Sequence, residues 1–260
     1  MQARPHLSVI VPAYNEDRRI RESLGRLTAY LASLPGPSEV LVVDDGSADR
    51  TAAIVEEFGR SPAAAGVPVR LLRNDRNRGK GYSIKHGVLL ASGELVLVSD
   101  ADFSTPIAEL PRLLGPVESG GHGIAIGSRG LPGSRIERRQ PAWREAMGRC
   151  FNRLVRAMTG LPYRDTQCGF KVMRREAVLP LFRAARIERF AYDVEILYLA
   201  RKAGIGVVEV PVVWRDAAGS KVRALRDALD MLKDVARVLW RDRRGRYGDL
   251  RASPAPGEGP

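Results

Sequence analysis

The sequence predicts an α/β protein: a single domain built on a doubly wound, mostly parallel sheet, with an amphipathic helix near its C-terminal end. Its 260 residues suit one large domain. Short, continuously apolar runs alternate with helical patterns through the first half of the chain. Such runs are typical of parallel strands that helices cover on both faces.

Four strands and three helices are predicted to alternate in the first half. We place the strands at residues 7–11, 39–43, 69–72 and 94–99, and the helices at about 16–34, 49–58 and 81–90. A further strand at 123–126 ends this half, which we interpret as a nucleotide-binding unit over residues 6–128. Ligands of such sheets bind outside the carboxyl ends of the strands.

The second half, residues 129–245, is predicted to contain helices at about 141–159, 182–203 and 222–241, and a strand at 206–214. The first helix carries a stripe that we expect to face the core: Trp143, Met147, Phe151, Leu154, Val155 and Met158. The last helix is amphipathic, and its apolar face either caps the sheet or lies on a membrane: Leu225, Leu229, Leu232, Ala236 and Leu239. Residues 246–260 are predicted to form a disordered tail, because proline, glycine and polar residues dominate its end.

The chain is strongly basic, with a formal net charge of +12. Half of that net charge comes from residues 129–156, which contain eight arginines and two glutamates and so have a net charge of +6. A basic chain attracts nucleic acid, an anionic membrane surface or phosphorylated substrates. Arginine is suited to bidentate phosphate contacts, and the sequence has no recognised nucleic-acid motif, so we expect phosphorylated substrates and no nucleic acid.

Targeting signals and cysteine motifs are absent from the sequence. No apolar run reaches the roughly 18 to 20 residues that a membrane-spanning helix needs, and the run at 7–11 is too short for a signal peptide. The two cysteines, Cys150 and Cys168, match no metal motif and are expected to be ordinary packed thiols without a disulfide. We therefore expect a cytoplasmic protein whose membrane contact is peripheral, at the cytoplasmic face.

Polar clusters follow the predicted strands where each strand ends. They occupy residues 12–16, 44–47, 100–102 and 127–129. Asp44 or Asp45 would cap the next helix or accept a hydrogen bond from a nucleobase or ribose, and Tyr14 would stack on a base. Each residue is ordinary at such a turn, but their combination points to a nucleotide site.

Asp100 and Asp102 form the most informative of these clusters. Two carboxylates at positions i and i+2 after a buried strand are costly unless a positive charge lies beside them. Mg²⁺ binds readily to one or two carboxylates together with phosphate oxygens. The pair therefore predicts a metal site for Mg²⁺ or Mn²⁺ that is shared with a diphosphate. The alternative is that Asp102 only caps the next helix.

These motifs carry a resemblance to a known family. The runs SVIVPAYNE, VLVVDDGSADRT, NRGKGYSIKHG and VSDAD resemble the family 2 glycosyltransferases of the GT-A fold, a Rossmann-like α/β fold. In the second half, DTQCGFK at 165–171, RFAYDVE at 189–195, and the runs VVWRD and GSK at 212–221 resemble the dolichyl-phosphate β-glucosyltransferase branch. The related mannosyltransferases share much of this pattern.

The resemblance implies a role for each matching residue. The nucleotide-sugar site would comprise Pro12, Tyr14, Glu16, Asp44, Asp45, Lys80 and Asp100. The catalytic residues would be Asp100, Asp102, Asp193 and Arg129, with Asp102 and Asp100 holding the metal. The acceptor phosphate would contact Arg129, Ser134, Arg144 and Lys221. Asp193 and Glu195 would face sugar hydroxyls, Asp165 would be either structural or acidic, and Trp214 would belong to the core.

The chain departs from the family pattern at two points. Ser104 stands where the mannosyl branch has a glutamine as a further metal ligand. The N-terminal membrane anchor of the eukaryotic enzymes has no counterpart in this sequence, so we expect peripheral membrane contact or a membrane partner protein.

The resemblance implies an inverting transfer of a hexose from a nucleotide sugar to a polyprenyl phosphate. UDP-glucose is the favoured donor and GDP-mannose its nearest competitor. A phosphate acceptor is already ionised at neutral pH, whereas a hydroxyl acceptor would need a base such as Asp193. The alternatives are a family 2 transferase that acts on a glycan hydroxyl, a nucleotidyltransferase, and a non-enzymatic nucleic-acid-binding protein.

Overall fold

The computed structural model describes residues 5–138, 142–215, 224–248 and 250, without the side chains at 138, 142, 144, 145 and 224–227. The strands are β1 (Leu7–Ala13), β2 (Ser38–Asp44), β3 (Val69–Arg73), β4 (Leu95–Ser99), β5 (Ile124–Ser128), β6 (Arg135–Arg138), β7 (Phe170–Arg174), β8 (Val207–Pro211) and β9 (Val213–Arg215). The helices are α1 (Ile20–Ala32), α2 (Thr51–Gly59), α3 (Lys80–Leu90), α4 (Leu110–Glu118), α5 (Ala142–Thr159), α6 (Arg175–Ala184), α7 (Tyr192–Lys202) and α8 (Ala224–Arg243).

A seven-stranded sheet in the order β3-β2-β1-β4-β7-β5-β8 forms the centre of the molecule. Strands β1 to β4 pair in parallel, β5 pairs in parallel with β8, and β7 runs antiparallel between β4 and β5. The predicted α/β fold with a mostly parallel sheet is therefore confirmed. Because β1 lies between β2 and β4, the strand order reverses there, and the carboxyl ends of these strands border a crevice where ligands of such sheets bind.

Two apolar layers cover the sheet, one on each face. Ile10 and Val43 belong to the cluster that includes residues of α3, α6 and α7, and Val9 and Val42 belong to the cluster of α1, α2 and α4. Side chains of a strand alternate between faces, so the continuous apolar runs in the sequence supply both layers. The rigid sheet between them holds the loops at the strand ends in place.

Several predicted elements are divided in the structure. The predicted helix at 182–203 covers only the end of α6 and the whole of α7, and the two helices are separated where the N–H groups of Arg186 and Ile187 donate to the buried Glu195 carboxylate. The predicted strand at 206–214 divides at Val212, after which β9 leaves the main sheet to pair with β6. The first helix begins at Ile20, four residues later than predicted.

Three elements were not predicted: α4, β6 and β7. Helix α4 contains Pro116 in its interior, a residue that normally breaks a helix. Strand β7 contains Lys171, which the sequence alone does not mark as a buried residue. Among the described residues, the four-residue strand β6 pairs with the three-residue β9.

The predicted apolar faces of the second-half helices need correction. In α5, Phe151 and Val155 are buried, but Trp143, Leu154 and Met158 are exposed. In α8, Val235 and Val238 are buried and Leu232 packs against the core as predicted, whereas Leu229 and Trp240 are exposed. Within the described residues, no helix is long and apolar enough to cross a bilayer.

The packed domain extends beyond the predicted boundary at residue 245. Tyr247 and Leu250 are each 4% exposed and belong to the core cluster that contains α7. The described part of the predicted tail is therefore packed against the domain. Residues 251–260 lie outside the described residues.

Candidate functional site

The candidate site lies at the carboxyl ends of β1, β2 and β4, where the loops after these strands contact one another. Asn15, with φ 53°, donates its backbone N–H to the Ser47 hydroxyl at 2.8 Å and accepts from the Ala48 N–H at 2.9 Å. The Glu16 N–H donates to the Thr51 hydroxyl at 2.7 Å. These bonds hold the loop after β1 against the loop after β2.

Three predicted nucleotide-site residues, Pro12, Tyr14 and Glu16, lie on this first loop or the strand before it. Pro12 is the last but one residue of β1, and Tyr14 is 38% exposed. The Glu16 carboxylate receives two hydrogen bonds from the Arg19 guanidinium, including Nη2 to Oε1 at 3.0 Å. Glu16 therefore helps to place Arg19, whose pKa is raised by this bond and also by Asp102 and Asp100.

Asp44 and Asp45 differ in their surroundings. The Asp45 carboxylate accepts from the Asn74 amide at 2.7 Å and from the backbone N–H groups of Arg78 at 3.0 Å and Gly79 at 2.8 Å. It therefore fixes the loop that leads into α3. Asp44 is fully buried, accepts from the Ser47 N–H at 3.2 Å, and has one carboxylate oxygen 3.4 Å from Arg73 Nε.

Asp100 and Asp102 lie directly after β4, as the sequence predicts. Lys80 Nζ, at the start of α3, is 2.5 Å from Asp100 Oδ1. Asp102 accepts the Ser104 N–H at 2.9 Å in a local turn, and helical structure resumes only at Ile107, so the capping alternative accounts for little of its environment. Burial and the neighbouring Asp100 charge raise the pKa of Asp102.

This arrangement fits a divalent cation that is held jointly with a phosphate ligand. Burial and the neighbouring Asp100 charge disfavour the ionised form of Asp102 and raise its pKa, an effect that a bound cation would offset. Among the described residues, no group of three or more His, Cys, Asp or Glu side chains is placed to hold a metal. Two carboxylates would therefore supply the protein's share of the coordination, with diphosphate oxygens and water as the remaining ligands.

A chain of alternating charges lies behind the two aspartates. Lys171 Nζ is 2.6 Å from Asp193 Oδ1, and both side chains are about 5% exposed or less. Burial raises the pKa of Asp193, against the opposing effect of Lys171 and Lys80. Burial also lowers the pKa of Lys80, but Asp100 and Asp193 outweigh it and the pKa is raised, so Lys80 stays charged.

The expectation that Glu195 faces sugar hydroxyls is wrong. Its side chain is fully buried and accepts the N–H groups of Arg186 and Ile187 at 2.9 and 2.7 Å. It also accepts the Tyr247 hydroxyl at 2.6 Å, and burial together with Glu195 raises the pKa of Tyr247. Glu195 thus joins α7 to the loop before it and to the chain after α8.

Arg129 lies after β5 and is held by Asp165. Its Nε and Nη2 donate to the two Asp165 oxygens at 2.6 and 3.0 Å, and its backbone N–H donates to Oδ2 at 3.0 Å. Burial opposes the Arg129 charge, but Asp165 outweighs it and raises the pKa of Arg129. The guanidinium also lies 5.4 Å from the ring centre of Trp214, which is a core residue as predicted. Asp165 is therefore a positioning group for Arg129.

The other predicted acceptor residues are only partly described. Ser134 donates its hydroxyl to the Ser128 carbonyl at 2.7 Å and does not line the cavity beside Arg129. The Arg144 side chain and the whole of Lys221 lie outside the described residues.

Several residues of the site were not singled out from the sequence. Arg19 and Lys171 are brought there by long-range folding; Lys171 ends the run at 165–171, but the resemblance gave neither residue a role. The cavity beside Arg129 adds Arg149, Arg153, Arg156 and Arg164. The excess of arginine between 129 and 156 pointed to this segment, but only the helical geometry of α5 shows which side chains meet.

Comparison with known sequences places the chain in one family. The family described as Glycosyl transferase family 2 matches residues 8–182. A dolichyl-phosphate beta-glucosyltransferase of Dictyostelium discoideum is 36% identical over 91% of this chain and 74% of its own length. Enzymes of the same name from Drosophila melanogaster and Homo sapiens are 39% and 34% identical over 90% of this chain, covering 74% and 75% of their own lengths.

Solved structures show the same fold. Glucosyl-3-phosphoglycerate synthase from Mycobacterium tuberculosis, in complex with Mg²⁺ and uridine diphosphate, superposes with a TM-score of 0.65 at 19% identity. A second complex of that enzyme, with Mn²⁺, UDP-glucose and glycerol 3-phosphate, gives a TM-score of 0.63 at 20% identity. In both cases the likeness covers 94% of this chain and 80% of the other.

Proposed function

The chain belongs to glycosyl transferase family 2, and we propose that it transfers glucose from UDP-glucose to a polyprenyl, dolichyl-type phosphate. The observation that carries the proposal is Arg129, which lines an arginine-rich cavity and whose pKa is raised by Asp165 and, more weakly, by Asp100. A cation site for the donor diphosphate thus adjoins a cationic site for a phosphorylated acceptor. The activity named for the relatives, glucosyl transfer to dolichyl phosphate, supports the same reading.

The donor nucleotide is proposed to bind over the loops after β1 and β2. Tyr14 is exposed enough to stack on the base, and Pro12 and Glu16 flank it. Asp44 or Asp45 is proposed to contact the base or ribose: the Asp45 oxygens already accept three protein N–H groups, and the Asp44 side chain is fully buried. Lys80 lies at Asp100 and is placed to approach the diphosphate.

Asp102 and Asp100 are proposed to hold Mg²⁺ or Mn²⁺. When bound there, the cation stabilises the negative charge that develops on the departing nucleoside diphosphate. Arg19, on the first loop, adds positive charge near the site. Its pKa is raised by Glu16 and also by Asp102 and Asp100. Ser104 contributes its backbone N–H to Asp102, so the two-carboxylate site needs no ligand from the Ser104 side chain.

The acceptor phosphate is proposed to bind at Arg129 and attack the anomeric carbon opposite the leaving group. One such displacement inverts the α donor to a β product. A phosphate oxygen is ionised at neutral pH, so the step needs no general base. The structure favours this acceptor over a hydroxyl because Asp193, the base that a hydroxyl would require, is buried and paired with Lys171.

Membrane contact is proposed to be peripheral, at the face that carries the lipid acceptor on the cytoplasmic side. Two helices of the second half that pack together, α5 and α8, carry five exposed large apolar side chains: Trp143, Leu154, Met158, Leu229 and Trp240. Apolar side chains rimmed by arginines suit the interface of an anionic bilayer.

The test is a transfer assay with purified protein, a polyprenyl phosphate and radiolabelled UDP-glucose or GDP-mannose, with Mg²⁺ or Mn²⁺ and with or without chelator. We expect label from UDP-glucose to enter the lipid phase only when a divalent ion is present. If only label from GDP-mannose enters the lipid phase, the donor is GDP-mannose and not UDP-glucose. Metal-dependent release of UDP without a labelled lipid would overturn the lipid acceptor, and release of diphosphate would identify a nucleotidyltransferase.

Gly169, just before β7, is predicted to be required for the position of Asp100. A Cβ atom at Gly169 would lie 2.0 Å from Asp100 Oδ2, so alanine must push this carboxylate aside. We expect Gly169→Ala to fold but to lose about 100-fold in glucosyl transfer, the scale expected for a displacement of about 1 Å in a catalytic site. Gly115→Ala is the matched control, because its Cβ meets nothing within 4 Å. Transfer by Gly169→Ala at the rate of the control would show that Asp100 does not need this position.

A further inference from the structure

One face of α5 is lined with arginine and borders a cavity. Arg149, Asn152, Arg153 and Arg156 stand at positions i, i+3, i+4 and i+7, so they share one face of the helix. Phe151 and Val155, on another face, are buried in the core and fix the rotation of α5. The cavity that this arginine face borders has a volume of about 430 Å³.

The cavity carries an excess of positive charge. Arg129 and Arg164 also line the cavity, and the single carboxylate among the described residues of its wall, Asp165, is already paired with Arg129. Within the part of the chain that the structure describes, no ion pair involves Arg153, Arg156 or Arg164. Guanidinium groups converging on an open volume without carboxylate partners are suited to a phosphate group.

The remaining wall of the cavity is apolar or open. Ile136 and Trp214, from the small β6–β9 sheet, also line the cavity. Gly148 of α5 opens the cavity further, since a Cβ there would meet nothing within 4 Å. The site thus combines guanidinium groups with an apolar wall, which fits a phosphate ester with a hydrocarbon substituent better than free phosphate.

We propose that the arginine face of α5, through Arg153 and Arg156, binds the phosphate group of a phosphomonoester acceptor and guides it to Arg129. This role of the cavity rests on the proposed function, because Arg129, which lines the cavity, is proposed there to bind the acceptor phosphate. Arg153 and Arg156 are positioning residues that set the preference for phosphorylated acceptors over hydroxyl acceptors. They take no part in cleavage of the donor bond.

The first experiment measures binding without donor, by calorimetry on the full chain with farnesyl phosphate and with inorganic phosphate as probes. We expect farnesyl phosphate to bind at least about tenfold more weakly to the double variant Arg153→Gln, Arg156→Gln than to the wild type, with UDP binding unchanged. The matched control is Arg26→Gln, Arg60→Gln, which removes two arginines that are 74% and 76% exposed and lie outside the cavity. If the control variant lost as much affinity for farnesyl phosphate, the effect would be one of net charge alone and the proposal would be overturned. Equal affinity of the wild type for inorganic phosphate would overturn the assignment to an ester.

A second variant tests the cavity without removing charge. Gly148→Leu places a side chain in open space and replaces a helical glycine, so the melting temperature should not fall. We expect the acceptor KM to rise at least about tenfold while the donor KM stays within twofold. An unchanged acceptor KM in both Gly148→Leu and the double arginine variant would overturn the proposal.

The two experiments separate this inference from the proposed function. If the wild type forms no glycosylated lipid with any donor, the proposed function fails, yet the binding measurement still decides whether the cavity holds a phosphate ester. If the wild type transfers glucose to lipid and the double arginine variant does so with an unchanged acceptor KM, the function stands and the role of the cavity is overturned.

Discussion

Replacement of Asp102 by asparagine is expected to lower kcat/KM for glucosyl transfer by at least about 100-fold, or about 2.7 kcal/mol of transition-state stabilisation. Asparagine keeps the oxygen that accepts the Ser104 N–H at 2.9 Å, so the local turn is retained. It removes the charge that is proposed to hold the divalent ion. The measurement is the transfer rate over a range of Mn²⁺ concentrations, together with direct Mn²⁺ binding by electron paramagnetic resonance.

The folded chain should not lose stability in this variant. Burial and Asp100 raise the pKa of Asp102, so the folded state binds this proton more tightly than the unfolded state does. Stability from this group is therefore lost as pH rises through the shifted pKa, and a neutral side chain avoids that loss. We expect the melting temperature of Asp102→Asn without metal, at neutral pH, to equal or exceed that of the wild type.

Asp75→Asn is the matched control, since Asp75 is 66% exposed on the loop after β3. It should leave both transfer and Mn²⁺ binding unchanged. Near wild-type transfer by Asp102→Asn at saturating Mn²⁺ would mean that Asp102 does not hold the metal. Weak Mn²⁺ binding in the wild type with UDP present would count against the two-carboxylate site as a whole.

The nucleotide-binding half was predictable from the sequence because its chemistry is local. Continuous apolar runs mark β1, β2 and β4, and a parallel sheet brings their carboxyl ends to one edge. Asp100 and Asp102 therefore reach the site whatever the details of the loops. Asp44 and Asp45 follow β2 by the same rule, although only the structure shows that Asp45 serves the loop before α3.

The second half was less predictable because its important contacts join residues far apart in the sequence. Lys171 is a buried lysine in a strand, and it is tolerated there because Asp193, from α7, lies 2.6 Å away. No local sequence pattern indicates such a pair, so β7 was not predicted as a strand. Similarly, the apolar stripe of α5 correctly predicted a helix. Which of its side chains face the core depends on how α8 packs against it.

Replacement of Glu195 by alanine is expected to destabilise the folded chain by about 3 to 5 kcal/mol, the largest loss of stability that we predict. The carboxylate is fully buried and satisfies the N–H groups of Arg186 and Ile187 and the Tyr247 hydroxyl. Alanine would leave these three donors buried without an acceptor and would create a cavity. Urea denaturation followed by circular dichroism measures the change in the free energy of unfolding.

Glutamine at the same position separates a structural role from a catalytic one. The glutamine oxygen can accept the Arg186 and Ile187 N–H groups, as Oε2 does, and its amide can donate to the Tyr247 oxygen in place of the bond to Oε1. Glu195→Gln should therefore lose only about 1 kcal/mol of stability and keep kcat/KM within a few-fold of the wild type. A folded Glu195→Gln variant with activity reduced 100-fold would instead restore Glu195 as a sugar-facing residue. The carboxylate is enclosed by α7, the loop before it and Tyr247. We therefore expect substitutions of Glu195 to lower the free energy of unfolding without removing the activity of the folded protein.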